Sequence, residues 1–201
     1  MIYSQAQEIA LRILKQLQPH SIVVDICGSV RREVKDCGDI EILCVPRITK
    51  IKDLFDTVIG EQRSLEFVKV VKSLGVILKG KPDSGRYVQI DLPDGIVLDL
   101  FIPIRDDYYR MVAIRTGSAD YSHRVLAVAW RAQGWVGTED GLRRVEECYS
   151  KQIGTNKEGV PKLKWICSKE KPTMPPVFTD EYSFFKFLRL DWIPPNKRYV
   201  K

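Results

Sequence analysis

Apolar positions along the first hundred residues switch between two periods. Ala6, Ile9, Ala10, Ile13, Leu14 and Leu17 fall on one helical stripe. The β-branched run from Ser21 to Cys27 predicts a strand, broken by Gly28-Ser29, and Asp39 to Val45 predicts a second, stopped by Pro46. In residues 52–73 the segments IKDLFDTVI and LEFVKVVKSL each run at helical period, so one or two helices are expected there. Strand candidates follow at 76–80, 86–92 and 96–102. The last two are joined by Pro93-Asp94-Gly95, a strong turn signal.

After Pro103 the texture changes. Thr116-Gly117-Ser118 precedes the helical run SADYSHRVLAVAWRAQG, which Gly134 ends. Short strands are expected at 142–149 and 162–168 around the Gly- and Lys-rich loop IGTNKEGVPK. A helix is expected at 180–188, and Pro194-Pro195 ends regular structure. The pattern divides into a mixed unit over 1–104 and a smaller unit over 105–201, with no internal repeat.

A length of 201 residues, 44% hydrophobic and 29% charged, suits a globular chain and argues against bulk disorder. No apolar run approaches a membrane span and the N-terminus has no signal-peptide core. A soluble, cytoplasmic, non-secreted chain with no membrane partner is the expectation. The net charge of +6 is unevenly placed: residues 1–140 balance 19 basic against 19 acidic side chains, whereas residues 141–201 carry 13 against 7. This points to a basic face for a polyanion, nucleic acid before membrane, unless it is only a solvated Lys-rich surface. Five Cys without a CxxC pair and two His at no zinc spacing give no metal framework. Cys27 and Cys44 lie in apolar runs as buried thiols; Cys148 and Cys167 are expected reduced, although a pair across a hairpin stays open.

Carboxylates carry the chemistry. On a strand, Asp39 and Glu41 project to one face while Ile40 and Ile42 project to the other. Asp99 lies opposite Ile96, Leu98, Leu100 and Ile102, so it must face water, a cation or a metal. If the two strands are neighbours, three carboxylates converge, a set suited to one or two Mg²⁺ and to phosphoryl transfer. Solvated acids on a sheet face are the plainer reading. Upstream, Gly28-Ser29 at a strand-to-helix corner offers bare N–H groups and a hydroxyl to a phosphate, and Arg32 adds a guanidinium.

The segment CGSVRREVKDCGDIEIL resembles the signature of the polymerase β-like nucleotidyltransferases, specifically the family X DNA polymerases. The resemblance continues through LDLF around Asp99, TGSADYSHRVLA at 116–127 and LDWIPPNKR at 190–198, in the family's order and spacing. It implies an α+β fold: a nucleotidyltransferase palm with a mixed, largely antiparallel sheet flanked by helices, plus a small α/β thumb. It implies two Mg²⁺ ions, with Mn²⁺ as substitute, on Asp39, Glu41 and Asp99, and attack of a primer 3′-hydroxyl on the α-phosphate of a deoxynucleoside triphosphate. Gly28, Ser29, Arg32 and Gly38 match positions that hold the β- and γ-phosphates. Gly117 and Ser118 match the thumb turn beside the sugar. Tyr121 matches an aromatic that packs on the incoming base, and a helix-packing role is the equal alternative; His123 reads as a surface helix residue rather than a catalyst.

Several positions depart from the family pattern. Glu41 stands where Asp is usual, Ile114-Arg115 where many members carry an aromatic pair that excludes ribonucleotides, and Val97 where many have an Arg near the primer terminus. Ser122 and Leu126 replace polar residues that contact base or template. The resemblance implies a minimal palm-plus-thumb form, a monomer without lyase or helix-hairpin-helix units, as in small virus-encoded members. Lys151, Lys157, Lys162 and Lys164, with Lys169 and Lys171 and the aromatics Tyr149 and Trp165, are then the candidate DNA grip. The expected activity is DNA-directed DNA synthesis at short gaps in repair. The alternatives are a template-independent terminal transferase, a nucleotidyltransferase acting on RNA or a small molecule, and a catalytically dead DNA-end-binding module.

Overall fold

A computed structural model describes residues 1–155 and 159–200. Five strands form one mixed sheet: β1 (Ser21–Ile26), β2 (Asp39–Pro46), β5 (Val76–Gly80), β6 (Tyr87–Asp91) and β7 (Val97–Phe101), in the spatial order β1-β2-β7-β6-β5. Only β2 and β7 pair in parallel. The fold is α+β, with helices on both faces of this sheet.

Strand alternation assigns the two faces. Ile40, Ile42, Cys44, Val88, Ile90, Leu98 and Leu100 point to one side, where α1 (Tyr3–Leu17) and α3 (Leu65–Ser73) cover them with Ile9, Ile13, Leu17, Phe67 and Val71. On the other side each central strand is polar at one end and apolar at the other. Leu43, Val45 and Phe101 lie under Tyr108 and Val112 of α4 (Tyr108–Thr116). Asp39, Glu41 and Asp99 occupy the other end, half-buried.

The chain between β2 and α3 is not the expected helix. Ile48–Lys52 (β3) and Val58–Arg63 (β4) form a separate antiparallel hairpin, and only Leu65–Ser73 is helical. Asp53 decides this locally: its carboxylate accepts from the backbone N–H of Phe55 at 2.8 Å and of Thr57 at 2.9 Å, and Asp56 takes φ 66°. That turn is incompatible with continuing a helix, and the flanking Ile and Val favour strands. The helix α3 starts one residue after Ser64, whose hydroxyl accepts from Phe67 N–H.

The C-terminal unit gathers around a second apolar cluster containing Ala113, Leu126, Trp130, Trp135, Leu142, Phe184 and Phe185. Helix α5 (Ala119–Tyr121) runs through a π turn over Ser122–Leu126 into α6 (Ala127–Ala132), ending at Gly134 with φ 77°. Two hairpins follow, β8 (Trp135–Thr138) with β9 (Gly141–Arg144), and β10 (Cys148–Thr155) with β11 (Pro161–Cys167). The single strand expected over 142–149 is therefore divided, because a tight turn at Val145–Glu147 separates β9 from β10. Helix α7 (Glu181–Phe187) is opened by a capping box between Asp180 and Ser183.

Candidate active site

Backbone register builds the acidic face. Glu41 on β2 pairs directly with Asp99 on β7, and Asp39 lies two residues earlier on the same side. Burial raises the Asp39 carboxyl above its ordinary value, the Asp99 charge adds to this, and Arg32 opposes it. Glu41 is pushed up to about 7, first by burial and further by Asp39 and Asp99, against the pull of Arg115. The Arg115 guanidinium stacks on the Phe101 ring at 3.7 Å and approaches Glu41 Oε1 at 3.9 Å. Two neighbours fix Asp99: Tyr87 Oη donates to its Oδ1 at 2.7 Å and Gln89 Nε2 at 3.0 Å. Tyr87 and Gln89 were not among the expected site residues, yet strand alternation in RYVQIDL puts both on the Asp99 side.

Beside this face, Gly28 begins the short helix α2 (Gly28–Arg31). Its φ of 62° and its closeness to Glu41 both exclude a side chain, since a Cβ would collide with Glu41 Oε2. Among the described residues the buried Ser29 hydroxyl has no hydrogen-bond partner, and neither do Arg32 Nε and Arg115 Nε. Arg32 Nη1 donates to the carbonyls of Thr116 at 3.0 Å and Gly117 at 3.2 Å, tying α2 to the end of α4. Gly38 is exposed, and a side chain there would meet open space.

Gly117 and Ser118 have structural work of their own. A Cβ on Gly117 would come within 2.8 Å of the Tyr121 ring, and Ser118 Oγ caps α5 by accepting from Tyr121 N–H at 3.2 Å. Tyr121 is 3% exposed and sits in the second apolar cluster, so the packing role is the one observed. Its ring is not available to an incoming base in this conformation. Ser122 Oγ donates to Ile114 O at 2.8 Å, and Leu126 is fully buried.

On the β10–β11 hairpin, Lys151 faces Lys164 across the ladder, with Lys162 two residues before Lys164 on the same side. Lys151 and Lys162 are exposed, whereas Lys164 Nζ is paired with Glu139 at 2.6 Å. Lys169 pairs with Glu147 at 2.6 Å, and Trp165 stacks under Arg131 at 4.6 Å. Lys157 lies outside the described residues.

Residues 3–82 match the family model of the DNA polymerase beta palm. This stretch is similar to the palm of the family X polymerases. It brings Gly28, Ser29, Arg32, Asp39 and Glu41 inside the matched segment, while Asp99 joins them through the β2–β7 register beyond it. The palm is that of a nucleotidyltransferase. No curated protein matches the chain.

Among the described residues, no three His, Cys, Asp or Glu side chains form a cluster that could hold a metal ion. The palm's donor set nevertheless suits one. Three hard oxygen donors share a face, and two of them, Asp39 and Glu41, are raised first by burial and further by the neighbouring carboxylates, so a cation there would oppose both causes. No lysine or arginine neutralises Asp39 or Asp99 by an ion pair among the described residues; Arg115 approaches Glu41 at 3.9 Å, and Arg32 acts on Asp39 and Glu41 only through its nearby charge.

Proposed function

We propose that the chain is a DNA-directed DNA polymerase of family X type, extending a primer 3′-hydroxyl with deoxynucleotides at short gaps in DNA. One observation carries the reading: the Asp39, Glu41 and Asp99 face stands against the Gly28-Ser29 corner, whose buried hydroxyl lacks a partner among the described residues. Divalent cations, Mg²⁺ or Mn²⁺, held by the three carboxylates would offset the negative charge where a triphosphate and a primer hydroxyl meet. Ser29 and the α2 corner offer hydroxyl and N–H donors to the phosphates, and Arg32 Nε supplies a further one. Tyr87 and Gln89 keep Asp99 in one orientation before any substrate arrives. The C-terminal unit then acts as the thumb, and the exposed lysines of β10 and β11 hold the DNA backbone.

The deciding assay compares gapped, recessed and single-stranded primers with each deoxy- and ribonucleotide in Mg²⁺. Template-matched extension, strongest on the gap, is the expected result; no incorporation on any of them would overturn the reading. A second reading, template-independent transfer, draws on the thumb. Tyr121, Ser122 and Leu126 are all consumed by internal packing or an internal hydrogen bond, which leaves fewer side chains to read the template. Extension of a single strand regardless of the opposing base would favour it.

Two substitutions probe the parts. Gly28→Ala forces a Cβ onto Glu41 at a left-handed backbone position, and incorporation should fall about 100-fold because a displacement of about 1 Å costs that much. Unchanged turnover with a normal melting temperature would remove Gly28 from the site. On the hairpin, replacing Lys151 and Lys162 by Ala should weaken binding evenly across sequences. The slope of log affinity against log salt should become shallower by about 0.9 for each phosphate that is no longer neutralised. Lys164→Ala should change the slope less, since Glu139 already neutralises that charge.

A further inference from the structure

The basic hairpin closes on a pair of thiols. Cys148 and Cys167 are direct partners across the β10–β11 ladder, and both are free and partly exposed. The bond flanking them, Ser168 N–H to Glu147 O at 3.0 Å, marks the pair as a non-hydrogen-bonded one. At such positions the Cα atoms approach to about 4.5 Å and the side chains lie closest. A disulfide accepts Cα separations of about 4.4 to 6.8 Å, so it could close here with little backbone movement. The base of the hairpin is also anchored: Glu147 accepts from Lys169 Nζ at 2.6 Å, Thr173 N–H at 2.8 Å and Thr173 Oγ1 at 2.7 Å.

We infer that Cys148 and Cys167 are a reversible oxidation site that forms an intrachain disulfide by exchange with a low-molecular-weight disulfide. One cysteine thiolate attacks the small disulfide, forming a mixed disulfide and expelling one small thiolate. The facing cysteine thiolate then attacks the protein sulfur of that mixed disulfide and expels the second. The protein loses two protons and two electrons, and the small disulfide is reduced to two thiols. Register favours the second step, because the resolving thiol is held beside the mixed disulfide. Cys148 itself is pushed up to about 11, by burial first and by Cys167 next, so exchange at neutral pH is slow rather than absent. Cys27, Cys37 and Cys44 are buried in the palm side of the molecule, and burial pushes Cys27 and Cys44 up to about 12. They are poor competitors for the same oxidant.

The bond would close the hairpin that carries Lys151, Lys162 and Lys164 at its base, whatever that hairpin binds. The test incubates the native full-length chain with oxidised glutathione, blocks remaining thiols after unfolding, and maps the peptides. The expected product is lighter by two hydrogens, with the Cys148 and Cys167 peptides linked, the other three thiols still blockable, and full reversal by dithiothreitol. The melting temperature should rise by about 10 °C, as closing a loop of this size implies. In the Cys148→Ser variant the link is impossible, and Cys167 should instead retain one glutathione as a stable adduct. Stable glutathione adducts on both Cys148 and Cys167 of the unaltered chain, or earlier reaction at Cys27, Cys37 or Cys44, would overturn the inference.

Discussion

Asp99→Ala is expected to lower nucleotide incorporation on gapped DNA by at least about 1,000-fold, the scale on which loss of a preorganised electrostatic group acts. The position leaves little room for substitution from nearby. Asp99 is the one carboxylate of the face contributed by β7, and it is the one that two side chains hold in place. Removing it also strips Tyr87 of its acceptor. The Tyr87 hydroxyl stands at about 12, raised by burial first and by its bond to Asp99 next. In the variant its ionisation should move back toward 10, which an ultraviolet titration reads without any substrate. Loss of incorporation with a lowered Tyr87 ionisation and an unchanged melting temperature identifies a folded protein lacking one site group. Incorporation within tenfold of the unaltered chain would sink the assignment of Asp99.

Glu181→Ala should cost about 3 to 5 kcal/mol of stability, as breaking a buried ion pair does. Glu181, 7% exposed, accepts from Arg198 Nη1 at 2.6 Å and Nη2 at 3.0 Å, from Arg31 Nη1 at 3.2 Å and Nη2 at 3.1 Å, and from Trp192 Nε1 at 3.2 Å. Arg198 is fully buried, so the variant leaves its cation without compensation. Arg31 also donates to Thr116 Oγ1 at 2.6 Å, so the same carboxylate steadies the joint between α2 and α4. The loss is a large fraction of the roughly 5 to 15 kcal/mol that holds a typical domain. A pH series separates charge from packing. Burial alone would raise the Glu181 carboxyl, but Arg198 and Arg31 more than offset it and hold it below its ordinary 4.5. Its folded value is the lower one, so its contribution is complete above pH 4.5 and disappears as the pH falls through the folded value. Chemical denaturation should show the unaltered chain losing stability below pH 4.5 more steeply than Glu181→Gln. Parallel curves would mean that the charge of Glu181 contributes nothing.

What the sequence made legible is what alternates or caps over a few residues. Asp39, Glu41 and Asp99 could be placed on one side because side chains on a strand change face at every step, and the β2–β7 register brought them level. Gly134 and Pro93-Asp94-Gly95 are local signals that the fold obeys, and the helix expected at 180–188 forms over Glu181–Phe187. The helix expected over 52–59 failed for an equally local reason: apolar spacing is ambiguous in a segment this short, and the carboxylate of Asp53 fixed a turn. Tyr121 presented the same kind of ambiguity, an aromatic on a helix with two possible neighbours, and only the position of the second cluster resolves it. Glu181 was invisible for a different reason. Its partners Arg31 and Arg198 are 150 and 17 residues away, and nothing in the pattern around an acidic residue near a helix start announces such pairings.

Helix α4 gives the molecule a party wall. Tyr108 and Val112 close the sheet's second face, and the Tyr108 hydroxyl donates to Asp25 at 2.8 Å, while Ala113 belongs to the cluster beyond. Neither neighbour owns the helix, and a cut before it would leave Leu43, Val45 and Phe101 bare to water. Exchanging the C-terminal unit for that of a relative therefore means transplanting α4 with it and refitting the sheet side of the helix. Chimeras joined at residue 104 should need that second repair before they become soluble.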